Sequence, residues 1–123
     1  MNSKDYLNSF RNALSGFFTA LKSEKNLRIH LIIGFFVIFL GLLLRIKINE
    51  WLYLGIVISL VIISELFNTA IENTVDYISR DNDPLAKKIK DISAAAVLIA
   101  AITSIIMGIL IFLPKLLYVF RIN

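Results

Sequence analysis

The sequence lacks cysteine and has a single histidine, and these two shortages exclude several kinds of chemistry. Without cysteine the chain can form no disulfide, no thiolate metal site and no cysteine nucleophile. One histidine cannot build a histidine-based metal site, and we interpret His30 as an interface or packing residue and not as a catalyst. Ser64 and Ser93 therefore lack a histidine partner for a nucleophilic triad. The five glycines are scattered, and neither glycine-rich phosphate-binding motif, GxxxxGKS/T or GxGxxG, is present.

The chain is also poor in polar residues. Hydrophobic residues make up 58 % of its 123 positions and the mean hydropathy is +0.78, which indicates a single-domain membrane protein and not an ordinary soluble domain. Charged residues between Lys4 and Arg28 interrupt the N-terminal stretch, which does not have the pattern of a signal peptide. The formal net charge of +4 is modest, and we expect the basic residues to orient the chain in a bilayer and not to bind nucleic acid.

Three apolar segments have about the length needed to cross a bilayer core about 30 Å thick, which is roughly 20 residues. They cover residues 29–44, 51–71 and 92–113. They predict an all-α integral membrane protein with three transmembrane helices, which cover residues 29–48, 51–79 and 84–113 with their extensions. Asp83 and Pro84 have the sequence of a helix start, with the aspartate as N-cap and the proline at the first helical position. Pro114 is expected to end or kink the third helix.

An amphipathic segment precedes the three spans, over residues 4–25. Its apolar side chains fall at helical spacing on one side, at Leu7, Phe10, Leu14, Phe17, Phe18 and Leu21. Its polar side chains lie mostly on the other side, at Lys4, Arg11, Ser15, Lys22 and Lys25. This pattern predicts a helix in the membrane interface, because the chain has no soluble core against which the helix could pack.

The distribution of Lys and Arg predicts the orientation of the chain. Three spans place the N-terminal region and the second connection on one side, with nine basic residues: Lys4, Arg11, Lys22, Lys25, Arg28, Arg80, Lys87, Lys88 and Lys90. The other side has Arg45, Lys47, Lys115 and Arg121. The positive-inside rule makes the richer side cytoplasmic, so we expect the N-terminus inside and the C-terminus outside the cell membrane.

The second apolar segment ends in a polar stripe, which we define as Glu65, Asn68, Glu72 and Asp76. Spacings of 3, 4 and 4 residues place all four within roughly one quarter of a helix circumference. Glu65 lies about 21 Å along the helix from Trp51, just inside the cytoplasmic boundary, and Glu72 reaches the headgroup or water layer. Because a carboxylate within the membrane costs at least a few kcal/mol, the stripe is a candidate functional site.

Further charged groups are expected at the level of Glu72. Glu24 ends the interfacial helix, and two carboxylates from two helices could hold Mg²⁺ together with water and phosphate oxygens. Lys90, next to Asp91, could bind a phosphate as a point charge. The alternative interpretation is that the stripe only forms ion pairs with Arg28 or Lys90.

Three stretches, ELFNTAIENTVDYIS, DPLAKKIKDISAAAVLI and SEKNLRIHL, resemble the small bacterial membrane lipid kinases of the prokaryotic diacylglycerol kinase family. The resemblance is closest to its undecaprenol kinase branch of Gram-positive type and covers nearly the whole chain. The block E-x-x-N-S/T-A-I/L-E-x-x-x-D followed by A-K-x-x-K-D is highly specific. The resemblance implies a homotrimer with three transmembrane helices and one interfacial helix per chain, and active sites between subunits at the membrane–cytoplasm boundary. It also implies transfer of the γ-phosphate of ATP to a lipid hydroxyl with Mg²⁺.

The resemblance further implies roles for individual residues. Glu65 is the general base and, with Arg28, contacts the lipid substrate. Glu24 and Glu72 hold the metal ion and take part in nucleotide binding. The other implied nucleotide-binding residues are Asp76, Asp81, Asn82, Asp83, Lys90 and Asp91, and Asn68 belongs to the catalytic network.

The sequence departs from the family pattern at Asp5 and Asn12, where relatives often carry an arginine and a tyrosine, and at Asp83, which is often histidine. Lys4 or Arg11 could take the place of that arginine. The sequence leaves the acceptor open between undecaprenol and diacylglycerol. A non-enzymatic small membrane subunit is a more distant alternative.

Overall fold

The computed structural model describes residues 3–79 and 83–121, which form four α-helices. Their bounds are Ser3–Ser23 for α1, Lys25–Leu43 for α2, Ile48–Ile78 for α3 and Pro84–Arg121 for α4. By length and composition, α2, α3 and α4 are each long and apolar enough to cross a membrane. The prediction of an all-helical chain with three membrane helices is therefore confirmed.

The three long helices leave much of their apolar surface uncovered. Phe35, Phe39 and Ile56 are all more than half exposed, and many other large apolar side chains are as well. A soluble protein rarely exposes so much contiguous apolar surface, whereas acyl chains are as apolar as these side chains. The outer surface of the chain is therefore suited to a lipid environment.

Helix α1 leads into α2 with only Glu24 between them. Glu24 has an extended backbone, with φ −97° and ψ 116°, so the two helices are separate elements joined at one residue. Ala20 and Leu27 are buried on either side of this junction, whereas Phe10 and Phe18 on α1 are exposed. The location of α1 in a membrane interface stays a prediction.

Helix α2 ends five residues before the predicted limit of residue 48, because a hydrogen-bonded C-terminal capping motif follows it. The amide of Ile46 donates to the Gly41 carbonyl at 3.1 Å, and the amide of Arg45 donates to the Leu42 carbonyl at 3.3 Å. Arg45 has a φ of 49°, in the left-handed region. This pattern is a Schellman motif, which terminates a helix by satisfying its last carbonyls.

The start of α3 is tied to the end of α4 through Glu50. Its carboxylate accepts a hydrogen bond from the Lys47 amide at 2.6 Å and pairs with the Lys115 ammonium at 2.6 Å. The expectation that Pro114 could end the third helix is wrong, because α4 continues to Arg121. Proline removes one backbone donor, and a membrane helix held by its neighbours tolerates that loss.

One face of α3 is buried along most of its length, and α3 packs most extensively against α4. The buried apolar residues Leu54, Val57 and Val61 are followed at helical spacing by Glu65 and Asn68. The polar stripe thus continues the same face that forms the apolar core. The packing of α3 consequently decides how deeply the polar residues are buried.

The apolar core lies at the end of the bundle near the α2–α3 connection. Its buried residues are Ile46, Leu54, Val57, Ile111 and Phe112. Trp51 packs against this core, and Gly41 on α2 lies directly beside its indole. A Cβ atom at Gly41 would meet Trp51 Cη2 at 2.9 Å and Ile46 Cδ1 at 3.1 Å, so glycine allows this close approach.

Substitution Gly41→Ala is expected to lower the free energy of unfolding by about 1–3 kcal/mol, because the added methyl group must displace the Trp51 ring from a packed core. Denaturation in detergent micelles, followed by circular dichroism, would measure the change. Gly55→Ala is the matched control, since no atom lies within 4 Å of its added Cβ and alanine favours the helix. Equal stability of Gly41→Ala and the unmodified protein would contradict the packing argument.

Candidate active site

The candidate site lies where the buried face of α3 changes from apolar to polar. Glu65 is only 3 % exposed, and Asn68 and Thr69 are buried as well. Asp76, at the other end of the polar stripe, is exposed. The stripe therefore begins inside the helix bundle and ends at an exposed residue, and its depth in a membrane stays a prediction.

Glu65 pairs with His30 of α2, whose Nε2 lies 3.1 Å from Oε1 of the carboxylate. The histidine side chain is 25 % exposed and the glutamate side chain 4 %. The carboxylates of Glu72 and Glu24 are near enough for their charges to act on Glu65 as well. A buried carboxylate needs a hydrogen-bond donor, and the imidazole of His30 is placed to supply one.

Asn68 links α3 to α4 through hydrogen bonds at both ends of its amide. Its Nδ2 donates to Glu72 Oε1 at 3.0 Å, and its Oδ1 accepts from the Ser93 hydroxyl at 2.6 Å. The same hydroxyl lies 2.9 Å from the Lys90 carbonyl oxygen, which is a second acceptor. This network fixes one oxygen of the Glu72 carboxylate relative to both helices.

The exposed end of the site carries two further ion pairs. Lys90 pairs with Asp76 across α3 and α4, and Lys87 pairs with Asp91 at 3.1 Å within α4. The ion pair with Lys90 that the alternative interpretation expects is thus present at Asp76. Since exposed pairs of this kind contribute little to stability, their side chains can exchange one partner for another at low cost.

Asp83 has the predicted N-cap position at the start of α4. Its Oδ1 accepts a hydrogen bond from the Leu85 amide at 2.8 Å, as an N-cap residue does. Its Oδ2 lies 3.5 Å from the Ser79 hydroxyl, which connects the start of α4 to the end of α3. The neighbouring predicted site residues Asp81 and Asn82 lie outside the described residues.

Arg28 does not form the predicted ion pair with the polar stripe. Its Nη1 donates to the carbonyl oxygens of Leu21 and Lys22 at 3.0 and 2.7 Å. Cationic donors at the C-terminus of a helix satisfy its unpaired carbonyls and interact favourably with its dipole. Arg28 therefore fixes the end of α1 against α2, beside Glu24.

The donor set suits a hard divalent cation that keeps other ligands. Within residues 3–79 and 83–121, no three His, Asp or Glu side chains come together as a complete metal site. Glu24 and Glu72 supply carboxylate oxygens from the α1–α2 junction and from α3. Mg²⁺ is commonly bound by one or two carboxylates together with water and substrate phosphates, so these two residues fit it.

An apolar groove runs along α2, α3 and α4, and His30, the partner of Glu65, is part of its lining. His30 lies at one end of its lining, Phe112 lies at the other, and Gly34 and Gly108 are among the residues between them. The buried carboxylate is thus close to an apolar surface on one side and to the charged residues on the other.

Two residues of the site were not predicted as such. The sequence indicates an interface or packing role for His30, and for Ser93 only a nucleophile without a histidine partner. His30 and Glu65 are both expected near the cytoplasmic boundary, so their similar depth is a signal that could have paired them. No signal in the sequence indicates that Ser93 faces Asn68, because this contact depends on how α3 and α4 are aligned.

Comparison with known proteins agrees with these features. The family model described as prokaryotic diacylglycerol kinase matches residues 11–112. The chain is 41 % identical to the undecaprenol kinase of Bacillus subtilis (strain 168) over 123 residues, which covers 94 % of this chain and 100 % of that protein. It is 41 % identical to the diacylglycerol kinase of Synechocystis sp. over 110 residues, which covers 89 % of this chain and 63 % of the relative. The diacylglycerol kinase of Pseudomonas aeruginosa is 35 % identical over 97 residues, or 79 % of each chain.

The matched model covers most of the chain and includes most of the described site. The family inferred from the three sequence stretches is confirmed, and the alternative of a non-enzymatic membrane subunit is set aside. The chain is a bacterial membrane lipid kinase and belongs to the prokaryotic diacylglycerol kinase family.

Proposed function

We propose that this enzyme transfers the γ-phosphoryl group of ATP, with Mg²⁺, to the hydroxyl of undecaprenol at the membrane–cytoplasm boundary. The observation that carries the proposal is the placement of Glu65, which is 3 % exposed between an apolar groove and a charged, open end of the bundle. A lipid alcohol and a nucleotide come from different phases, and this is a place where both can reach the same carboxylate.

Glu65 acts as the general base in this reaction. Its carboxylate takes the proton of the lipid hydroxyl while the hydroxyl oxygen forms a bond to the γ-phosphorus. The bond between that phosphorus and the β–γ bridging oxygen breaks, and ADP leaves with the bonding electrons. The proton is then passed from Glu65 to water, so one phosphorylated lipid, one ADP and one proton are formed.

Glu24 and Glu72 would hold Mg²⁺, and the hydrogen bond from Asn68 orients the Glu72 carboxylate for that role. The metal ion, when bound, supplies positive charge that offsets the charge developing on the transferred phosphoryl group. Both carboxylates are near enough to Glu65 for their charges to act on it, which supports the proposal that base and metal ligands share one site.

Asp76, Asp83, Lys90 and Asp91 are proposed to bind the nucleotide, with Asp81 and Asn82 in the adjoining connection. Lys90 is held in an ion pair with Asp76, and a phosphate could replace that carboxylate as the partner of the lysine at low cost. Asp91 is paired with Lys87 within α4. Within the described residues, Nη2 and Nε of Arg28 make no hydrogen bond, so they are available to an oxygen of the acceptor.

Undecaprenol is proposed as the acceptor because the similarity to the Bacillus subtilis undecaprenol kinase covers that protein completely. Diacylglycerol is the second candidate, and it is favoured by the similarity to the diacylglycerol kinases of Synechocystis and Pseudomonas aeruginosa. The reacting group is a hydroxyl in both cases, so the described catalytic residues suit either lipid.

The assembly and orientation are proposed from the family and from the charge distribution. We propose a homotrimer with active sites between subunits, α1 in the cytoplasmic membrane interface, the N-terminus inside and the C-terminus outside. The extensive exposed apolar surface of α2 to α4 leaves room for contacts with other copies of the chain.

Glu65→Gln is expected to lower kcat on the order of 10²- to 10⁴-fold with little change in apparent ATP affinity, because it removes a base and not a nucleotide contact. Glu72→Gln should instead raise the Mg²⁺ concentration that gives half-maximal activity. Steady-state kinetics in mixed micelles, with ATP and Mg²⁺ varied separately, would measure both.

Glu50→Gln is the matched control on the same helix, far from the site, and should retain transfer. Identical behaviour of the Glu65 and Glu72 variants would contradict their separate roles.

Competition between acceptors distinguishes the two candidate substrates. Undecaprenol and diacylglycerol would be offered together in mixed micelles with γ-labelled ATP, and the labelled lipids would be separated by chromatography. We expect the label mainly on undecaprenol. Label mainly on diacylglycerol would overturn the proposed acceptor, and absence of label on any lipid alcohol would overturn the proposed function.

The proposed orientation can be tested by cysteine labelling, because the chain has no cysteine of its own. Arg45→Cys should react with a membrane-impermeant maleimide in intact cells, whereas Lys88→Cys should react only after the cells are opened. Both residues are exposed in the structure, so accessibility within the protein does not limit either reaction. The reverse pattern would show that the orientation is inverted.

A further inference from the structure

The only histidine of the sequence has no part in the reaction as proposed, yet it contacts the base. His30 lies on α2 and Glu65 on α3, with Nε2 and Oε1 3.1 Å apart. Among the described residues, His30 is the only basic side chain within ion-pair distance of Glu65. The nearby cations have other partners, since Arg28 contacts backbone carbonyls and Lys90 contacts Asp76.

We propose that His30 is a positioning residue whose Nε2 fixes the Glu65 carboxylate through Oε1 and leaves Oε2 to accept the proton of the lipid hydroxyl. The inference rests on the proposed function, because it takes Glu65 as the base. An ionised carboxylate only accepts hydrogen bonds, so the proton between the two side chains belongs to Nε2. His30 then holds the base without exchanging a proton with the substrate.

The surroundings of Glu65 explain why its orientation needs to be fixed. Glu72 on the same helix and Glu24 at the α1–α2 junction bring further acidic side chains near its carboxylate. The glutamate side chain has several rotatable bonds, and without an attractive partner no single orientation would be selected. His30 is attached to a different helix, so its contact ties the carboxylate to α2 as well as to α3.

His30 also lies at the end of the apolar groove that extends along the three long helices to Phe112. A lipid whose chain occupied this groove would bring its hydroxyl to the level of the His30–Glu65 pair. A misplacement of about 1 Å between base and hydroxyl can cost on the order of 10²-fold in rate. The contact is therefore expected to affect the chemical step more than the binding of ATP.

Kinetics of three variants test the proposal. His30→Ala should lower kcat on the order of 10²-fold and leave the KM for ATP within about twofold. His30→Gln keeps an N–H donor near the position of Nε2 and should recover most of the lost kcat. Ile32→Ala is the matched truncation of an exposed side chain on α2, outside the His30–Glu65 pair, and should behave like the unmodified enzyme.

Nuclear magnetic resonance gives a readout that does not depend on activity. Protein labelled with ¹⁵N-histidine has one imidazole, so its two ring nitrogens give an unambiguous pair of signals. Glu65→Gln should shift these signals because it changes the group that faces Nε2. Ile32→Ala should leave them in place.

Three outcomes would overturn the role of His30 while leaving the proposed function intact. They are full activity of His30→Ala, a His30→Gln variant as slow as His30→Ala, and imidazole signals that do not respond to Glu65→Gln. A loss seen only in the KM for ATP would likewise assign His30 to nucleotide binding and contradict the inference. Failure of the unmodified protein to phosphorylate any lipid alcohol would instead refute the proposed function.

Discussion

The packing of α3 against α4 is the contact on which the rest of this structure depends. Near the α2–α3 connection the two helices share an apolar core that includes Leu54 and Ile111. At the other end they share a polar contact, the hydrogen bond between Asn68 and Ser93. The pair formed by Glu50 and Lys115 holds the same two helices where α3 begins. Because the contact extends from one end of α3 to the other, the depth of Glu65 in the bundle is fixed by packing far from the site.

Most acidic side chains lie at one end of this bundle, among basic ones, and the surrounding helices contact them in different ways. The buried Glu65 faces a histidine on a second helix, whereas the exposed Asp76 faces a lysine. Glu72 is held by a neutral amide, which orients the carboxylate without neutralising it. A carboxylate that is oriented but retains its charge is suited to a cation delivered with the substrate. The buried Glu65 is thus the proposed base, and the exposed Asp76 is proposed to bind the nucleotide.

The sequence predicts much of this fold because the relevant signals are local. Apolar segments of membrane length predict the three long helices, and spacings of 3, 4 and 4 residues place the polar stripe on one face of α3. The sequence does not predict the residue at which α2 ends, because this end depends on the left-handed conformation of Arg45. The passage of α4 through Pro114 and the pairing of His30 with Glu65 depend on neighbouring helices. Such contacts between helices leave no periodic pattern in the sequence.

The single-residue junction at Glu24 has a mechanical consequence. Helices α1 and α2 meet at one extended residue, and Arg28 holds the end of α1 close to that residue. A change in the tilt of α1 must be absorbed by the dihedral angles of Glu24 and therefore moves its carboxylate. The orientation of α1 and the direction in which the Glu24 side chain projects are therefore set by the same pair of dihedral angles.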